Sequence, residues 1–306
     1  MFRYYQTYNT PSSEGIWQSL KNSFQQGSAL LQLIYINIGV FLAFKLLGVA
    51  LLLFGYSEPE AFVLPYVGVS ALPEEVVYTP WTLFTYMFTQ FSLLHLLFNM
   101  LWLYWFGNLF RHHFSSRQLV GVYLLGGICG ALFYLAAYAI FPAFSEERYA
   151  SWAIGASASV MAIVFAVCCY LPNQQIHIFL IGPVRLIHLA LLTALIDLLS
   201  IPSGNAGGHI AHLGGAFFGY LFTAGIHHHR DLTAGFIRIL EKIGQFFTKK
   251  RSRMKYKVQD MNDQEYNTHK KKRDDRINDI LDKISKSGYE SLTKEEKEIL
   301  FKADRH

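Results

Sequence analysis

The chain has 306 residues, 52% of them hydrophobic, a formal net charge of +5 and three cysteines. Its positive mean hydropathy is high for a soluble globule and low for a chain embedded along its whole length. The charges resolve this, because residues 227–306 hold 20 of the 27 Lys and Arg and 14 of the 22 Asp and Glu. An apolar block therefore precedes a charged tail, whose basic excess suits an anionic membrane surface and requires no nucleic-acid partner.

Residues 1–28 are polar with scattered aromatics and carry only Arg3 and Lys21 as basic residues. Neither a cleavable secretory signal nor an Arg-rich transit peptide is evident there, and "SSEGIWQSLKNSF" fits a short helix lying on the membrane. Apolar spans are expected near 29–53, 92–110, 118–141, 152–171, 186–201 and 208–226. Roughly 20 helical residues cross a hydrocarbon core about 30 Å thick. The partly apolar 56–91 connection is expected to rest in the interface, anchored by Tyr78 and Trp81. Gly182-Pro183 would break a helix, so 173–185 is expected to be a bent interfacial loop. The three cysteines (Cys129, Cys168 and Cys169) all fall within spans and read as apolar filler, not as a disulfide framework or metal site.

Beyond the last span, "DLTAGFIRILEKIGQFFTKK" has an apolar and a basic face, as an interfacial helix does. Residues 251–275 read as a charged linker. Ile277, Ile280, Leu281 and Ile284 then follow helical spacing towards a stop at Gly288, and Thr293 and Glu296 have capping-box spacing. The fold expected is an all-α polytopic membrane protein with three parts. These are a cytoplasmic N-terminal segment (1–28), a six-transmembrane-helix bundle (29–226) and a charged cytoplasmic tail (227–306) holding an interfacial helix and a two-helix unit. Orientation follows the basic residues of short loops. The 56–91 loop has Glu58, Glu60, Glu74 and Glu75 but no Lys or Arg, whereas Arg111, Arg117, Arg185 and the tail lie on the opposite side. Both termini are thus expected to be cytoplasmic, in a bacterial plasma (inner) membrane.

Polar residues inside a bilayer are costly and need a reason. His95 and Asn99 lie about 3 and 7 residues into the second span, and Ser157 and His212 about 5 and 4 residues into the fourth and sixth. All three spans run in the same direction, which puts the four side chains in one layer roughly 5–11 Å deep. His95 and Asn99 are i, i+4 and share a face, while Gly215 and Gly219 continue the face of His212. Glycines there let another backbone approach closely, which brings Ser157 within reach of His212. A serine hydroxyl needs such a base to become a nucleophile, and Asn99, His95 and the Ser157 amide are placed to hold an oxyanion. Ser159, about 200° around the helix from Ser157, reads as a packing residue, and His209 as an interfacial histidine near water. Asp197 lies near the end of its span and reads as a residue that snorkels or pairs locally. Lys45 is expected to reach the interface through its long stem.

"HLLFN" (95–99), "GAS" (155–157) and "AHLGGAFFG" (211–219), in this order on alternate spans, resemble the rhomboid family of intramembrane serine proteases over about residues 29–226. Trp81 occupies the matching place in the first outer loop. The resemblance implies Ser157 as nucleophile, His212 as general base, and His95 and Asn99 as oxyanion donors. It also implies a Ser–His dyad without an acidic third member, which accords with the expected absence of a carboxylate from the layer. No cofactor or metal is implied. The implied partners are transmembrane protein substrates, cut near the outer membrane face, and the lipid bilayer itself; nothing in the sequence names a partner for the tail. Four positions depart from the family's usual pattern: Ala158 for a Gly, Met161 for a Tyr, Thr82 for an Arg after Trp81, and Gln90 for a His. They bear on substrate preference and loop packing more than on chemistry. No HExxH motif supports a metalloprotease, an aspartyl mechanism lacks a second carboxylate, and no symmetric pair of broken helices suggests a transporter. The remaining alternative is a rhomboid-like pseudoprotease that binds or unfolds membrane clients without cleaving them, against which stands the presence of both Ser157 and His212.

Overall fold

A computed structural model describes residues 28–178 and 182–248, with residues 279–280, 283–284, 292–293 and 295–297 of the tail. The chain divides into two compact units, Met1–Leu240 and Glu241–His306.

Each apolar segment of the sequence folds as a helix. Helix α1 (Ala29–Leu53) is followed by the short helices α2 (Pro59–Val67), α3 (Pro73–Tyr78) and α4 (Thr82–Thr85). Then come α5 (Leu93–His113), α6 (Ser116–Ile140), α7 (Ser157–Tyr170), α8 (Leu186–Ser200), α9 (Ala206–His227) and α10 (Ala234–Thr248). Among the described residues, α1, α5 and α6 are long and apolar enough to cross a membrane, whereas α7 and α8 have 14 and 15 residues. Side chains close the helix starts that sequence would cap. Ser92 accepts from the His95 amide, Ser115 and Gln118 form a capping box before α6, and Asn205 accepts from the Gly208 amide, satisfying amides that a helix start leaves open.

The all-α expectation needs two corrections. Strand β1 (Val69–Ser70) pairs antiparallel with β2 (Trp152–Ala153), so the chain enters α7 extended and the helix starts at Ser157, later than the span at 152–171 suggested. Residues expected to form a bent loop are instead a hairpin of β3 (Gln175–Ile178) and β4 (Gly182–Arg185). Both strands of a two-stranded sheet are edges, so Pro183 is tolerated opposite His177. Gly182 adopts φ +93°, which few other residues accept.

Helix α7 packs against α5, α6, α8 and α9 and is buried along most of its length. Glycine is what permits this. A Cβ at Gly215 would fall on the Ala158 carbonyl, one at Gly219 on the Ala162 carbonyl, and one at Gly126 on the Ala162 side chain. The seam expected of Gly215 and Gly219 is thus a backbone contact between α9 and α7, the close approach that small residues allow. The 56–91 connection covers the site end: Trp81 donates to the Tyr66 carbonyl at 2.9 Å, and Tyr86 is fully buried. Lys45 meets Glu60 at 2.8 Å, so its long stem ends in a local ion pair.

In the second unit the expected capping box is formed, with the Thr293 amide on the Glu296 carboxylate at 2.7 Å and the Glu296 amide on the Thr293 hydroxyl at 3.3 Å. The Thr293 amide, and then Lys283 at 2.9 Å, hold the Glu296 carboxyl below its usual range. Ile280 and Leu292 are buried, and Ile243 of α10 is exposed. The expected N-terminal interfacial helix, the 251–275 linker, Ile277, Leu281 and Gly288 lie outside the described residues.

Candidate active site

The fourth and sixth apolar segments meet where the sequence placed their polar residues. Ser157 is the first residue of α7, and its Oγ lies 2.7 Å from His212 Nε2 on α9. Gly155 makes the approach possible. Its φ of +123° turns the extended chain into the helix, its amide donates to the Tyr86 carbonyl at 2.9 Å, and a Cβ there would stand 2.9 Å from His95 Cε1. His95 therefore lies over the residues leading into Ser157. No side chain caps α7, so its first amides stay available to a negatively charged atom near Ser157. His212, by contrast, lies beyond the first turn of α9, and its role does not draw on a helix end.

Two cavities flank the pair. One of about 460 Å³, lined by Tyr86, His95, Trp152 and Asn205, has Ser157 and His212 in its wall. Another of about 240 Å³ lies between α5 and α8 and is lined by Asn99, Met161, Thr193, Ser157, Asp197 and His212. The four sequence-predicted residues are therefore brought together around Ser157, with Asn99 on the α5–α8 side. Asn99 is buried and its Nδ2 donates to Gln90 Oε1 at 2.7 Å. Gln90 continues to Asn37, whose Nδ2 donates to the Tyr123 hydroxyl, which donates to the Met87 carbonyl. Met161 occupies the wall where the family pattern has a tyrosine. Ser159 is fully buried against Gly127, as a packing residue should be.

Two residues, Asp197 and His209, depart from the sequence expectation. Asp197 on α8 is buried, and its Oδ1 lies 2.8 Å from His212 Nδ1 and also 2.8 Å from His209 Nδ1. The expectation of a layer without a carboxylate is thus corrected, and His209 is a partner of Asp197 and not a bystander at the interface. The physical reason is the tight turn between α8 and α9. It folds the two helices back on each other, so residues at similar distances from it meet. Among the described residues, Asp197, His209 and His212 are also the one group whose donor atoms lie close enough to share a metal, within 4.8 Å of one another. Both nitrogens of His212 are already engaged, with Ser157 on one side and Asp197 on the other.

A mostly helical, membrane-embedded bundle with serine and histidine in contact at the N-terminus of its central helix defines the class. The chain belongs to the rhomboid family: residues 78–229 match the Rhomboid domain. Residues 261–302 match a separate family of unknown function, DUF6576. The chain is similar to RHOMBOID-like protein 12, mitochondrial, of Arabidopsis thaliana, at 31% identity over 44% of this chain and 43% of that protein. It is also similar to Presenilin-associated rhomboid-like protein A, mitochondrial, of Danio rerio, at 29% identity over 43% of this chain and 34% of that protein. The chain spans less than half the length of either relative. Both are mitochondrial by name, which overturns the bacterial plasma membrane, and with it the cytoplasmic termini, expected from sequence. Basic residues report the side of a bilayer on which a loop lies and not which bilayer it is. The integral membrane character stands.

Proposed function

We propose that the chain is an intramembrane serine endopeptidase, with α1, α5, α6, α7, α8 and α9 as six spans, acting on transmembrane segments of other proteins. The observation that carries this reading is the 2.7 Å contact between Ser157 Oγ and His212 Nε2 in a cavity wall. Ser157 Oγ attacks the scissile carbonyl carbon while its proton passes to His212 Nε2. The C–N bond then breaks and the leaving amine takes that proton. Water next attacks the acyl ester, gives a proton to His212, and the proton returns to Ser157 as the acid leaves. The α7 amides, Asn99 and His95 hold the negative oxygen of each tetrahedral state. A helical substrate hides its carbonyls in hydrogen bonds, so it must unwind locally to be cut, and segments with Gly or Pro near the site-side membrane face are favoured.

The test uses a serine-directed fluorophosphonate and a single-span reporter on the full chain in detergent. Wild type should be labelled at Ser157 and should cleave. Both activities should vanish in Ser157→Ala and fall by about 10³ or more in His212→Ala, since the two groups act as a unit. A folded wild type that neither labels nor cleaves would make the protein a client-binding rhomboid relative instead.

A further inference from the structure

A carboxylate among the apolar residues of α8 is expensive, and two hydrogen bonds aimed at one of its oxygens offset that cost. Asp197 Oδ1 lies 2.8 Å from His212 Nδ1, and the opposite nitrogen of the same ring lies 2.7 Å from Ser157 Oγ. The three groups therefore form an unbroken line across α8, α9 and α7. An ionised carboxylate only accepts hydrogen bonds, so each histidine facing Asp197 carries its hydrogen on Nδ1. For His212 that leaves Nε2 as an acceptor pointing at the serine, the one tautomer in which it can take the Ser157 proton. His209 uses the same oxygen at 2.8 Å, with its ring nearly perpendicular to that of His212 at 83°. The carboxylate is thus held from two directions.

We propose that Asp197 is a positioning residue for this chain's own catalytic histidine, making the site a Ser157–His212–Asp197 triad in which His209 steadies the aspartate. The proposal rests on the peptidase reading above and adds a third member to the dyad. Asp197 fixes the tautomer and ring direction of His212 and faces the imidazolium formed when Ser157 loses its proton. It neither gains nor loses a proton itself. A purely structural carboxylate would join α8 to α9 equally well as an amide, and this is where the two roles part. In Asp197→Asn the side-chain NH2 can donate to Nδ1 and so select the other tautomer, with the hydrogen on Nε2 against the serine. In a soluble triad the same exchange costs up to about 10⁴ in turnover.

The experiment measures kcat and KM for a single-span reporter, the rate of fluorophosphonate labelling at Ser157, and the thermal midpoint, all on the full-length protein. Asp197→Asn should lower kcat and the labelling rate on the order of 10²-fold, with KM within about twofold and the thermal midpoint little changed. Asp197→Glu should keep more turnover than Asp197→Asn. His209→Ala should lower kcat by only a fewfold, because the line through His212 remains. If the asparagine variant is poorly folded, Asp197→Ala assayed with and without formate replaces it, and formate should restore part of kcat. An asparagine variant within threefold of wild-type kcat, or an alanine variant that formate does not help, would reduce Asp197 to a link between helices. Turnover lost on chelation and regained with zinc would make the cluster a metal site and overturn the proposal. Failure of wild type to label at Ser157 would sink the peptidase reading itself. Normal wild-type labelling with an indifferent Asp197→Asn would sink only the triad.

Discussion

Two polar clusters lie inside this apolar bundle, and they solve the same problem in opposite ways. The chain Asn99–Gln90–Asn37–Tyr123 is buried throughout, and its hydrogen bonds close on the Met87 carbonyl. The Ser157–His212–Asp197–His209 cluster is only half-buried at its serine and histidines, and its first three members lie in the walls of two cavities. A sealed and satisfied network makes a scaffold rigid, whereas a cluster beside open space can meet another molecule. Asn99 belongs to the first and faces a cavity shared with the second. Burial of polar groups therefore does not itself mark a site; the cavity beside them does.

The sharpest way to break this distinction is at Asn99, where the clusters adjoin. If its free amide hydrogen reaches the oxyanion, Asn99→Ala should lower kcat by about 10²–10³ while the protein still folds and inserts. Cleavage within threefold of wild type would return Asn99 wholly to the scaffold and leave the oxyanion to His95 and the α7 amides.

Gln90 should show a smaller and mixed effect. Gln90→Leu leaves Asn99 Nδ2 without its acceptor and Asn37 Oδ1 with only the 3.4 Å contact to the Tyr123 hydroxyl, and an unpaired buried group costs about 1–3 kcal/mol. The thermal midpoint should therefore fall, and kcat per folded molecule should drop about tenfold as the Asn99 amide loses its orientation. A lower midpoint with unchanged kcat would mean that the network supports the fold alone, which would sharpen the contrast.

These residues differ in how far the sequence disclosed them. The proximity of Ser157, His212, His95 and Asn99 was legible because alternate spans run the same way, which converts residue count into relative depth, and because Gly215 and Gly219 share the face of His212. The helices were legible from apolarity. The late start of α7 was not, since apolar composition at 152–156 does not distinguish helix from strand, and pairing with Val69–Ser70 is a long-range contact. The 175–185 hairpin was hidden behind Gly182-Pro183, which signals a break in a helix but carries no sign of strand pairing. Gln90 stood out only as a departure from a family pattern, and its bond to Asn99 needed the fold. Asp197 does carry a signal: it stands as far before the α8–α9 turn as His209 stands after it, with His212 about one helical turn further on. Antiparallel neighbours pair in that way.

Ser159 should give the smallest effect and tests the contrast between the clusters from its other side. Its hydroxyl is fully buried and has no hydrogen-bond partner among the described residues. A helical serine can fall back on the carbonyl four residues earlier, but residue 155 precedes the start of α7, at the positive-φ turn into the helix. Ser159 thus belongs to neither cluster, although it is only two residues from Ser157. Ser159→Ala removes an unpaired polar atom while keeping the close packing against Gly127. Labelling at Ser157 and kcat should stay within about twofold, and stability should hold or rise by up to about 1 kcal/mol. A large loss of labelling in a well-folded Ser159→Ala would place the reactive hydroxyl on the wrong face of α7. Unchanged labelling together with a raised thermal midpoint would show that a polar group without a partner and without a cavity contributes to neither chemistry nor fold.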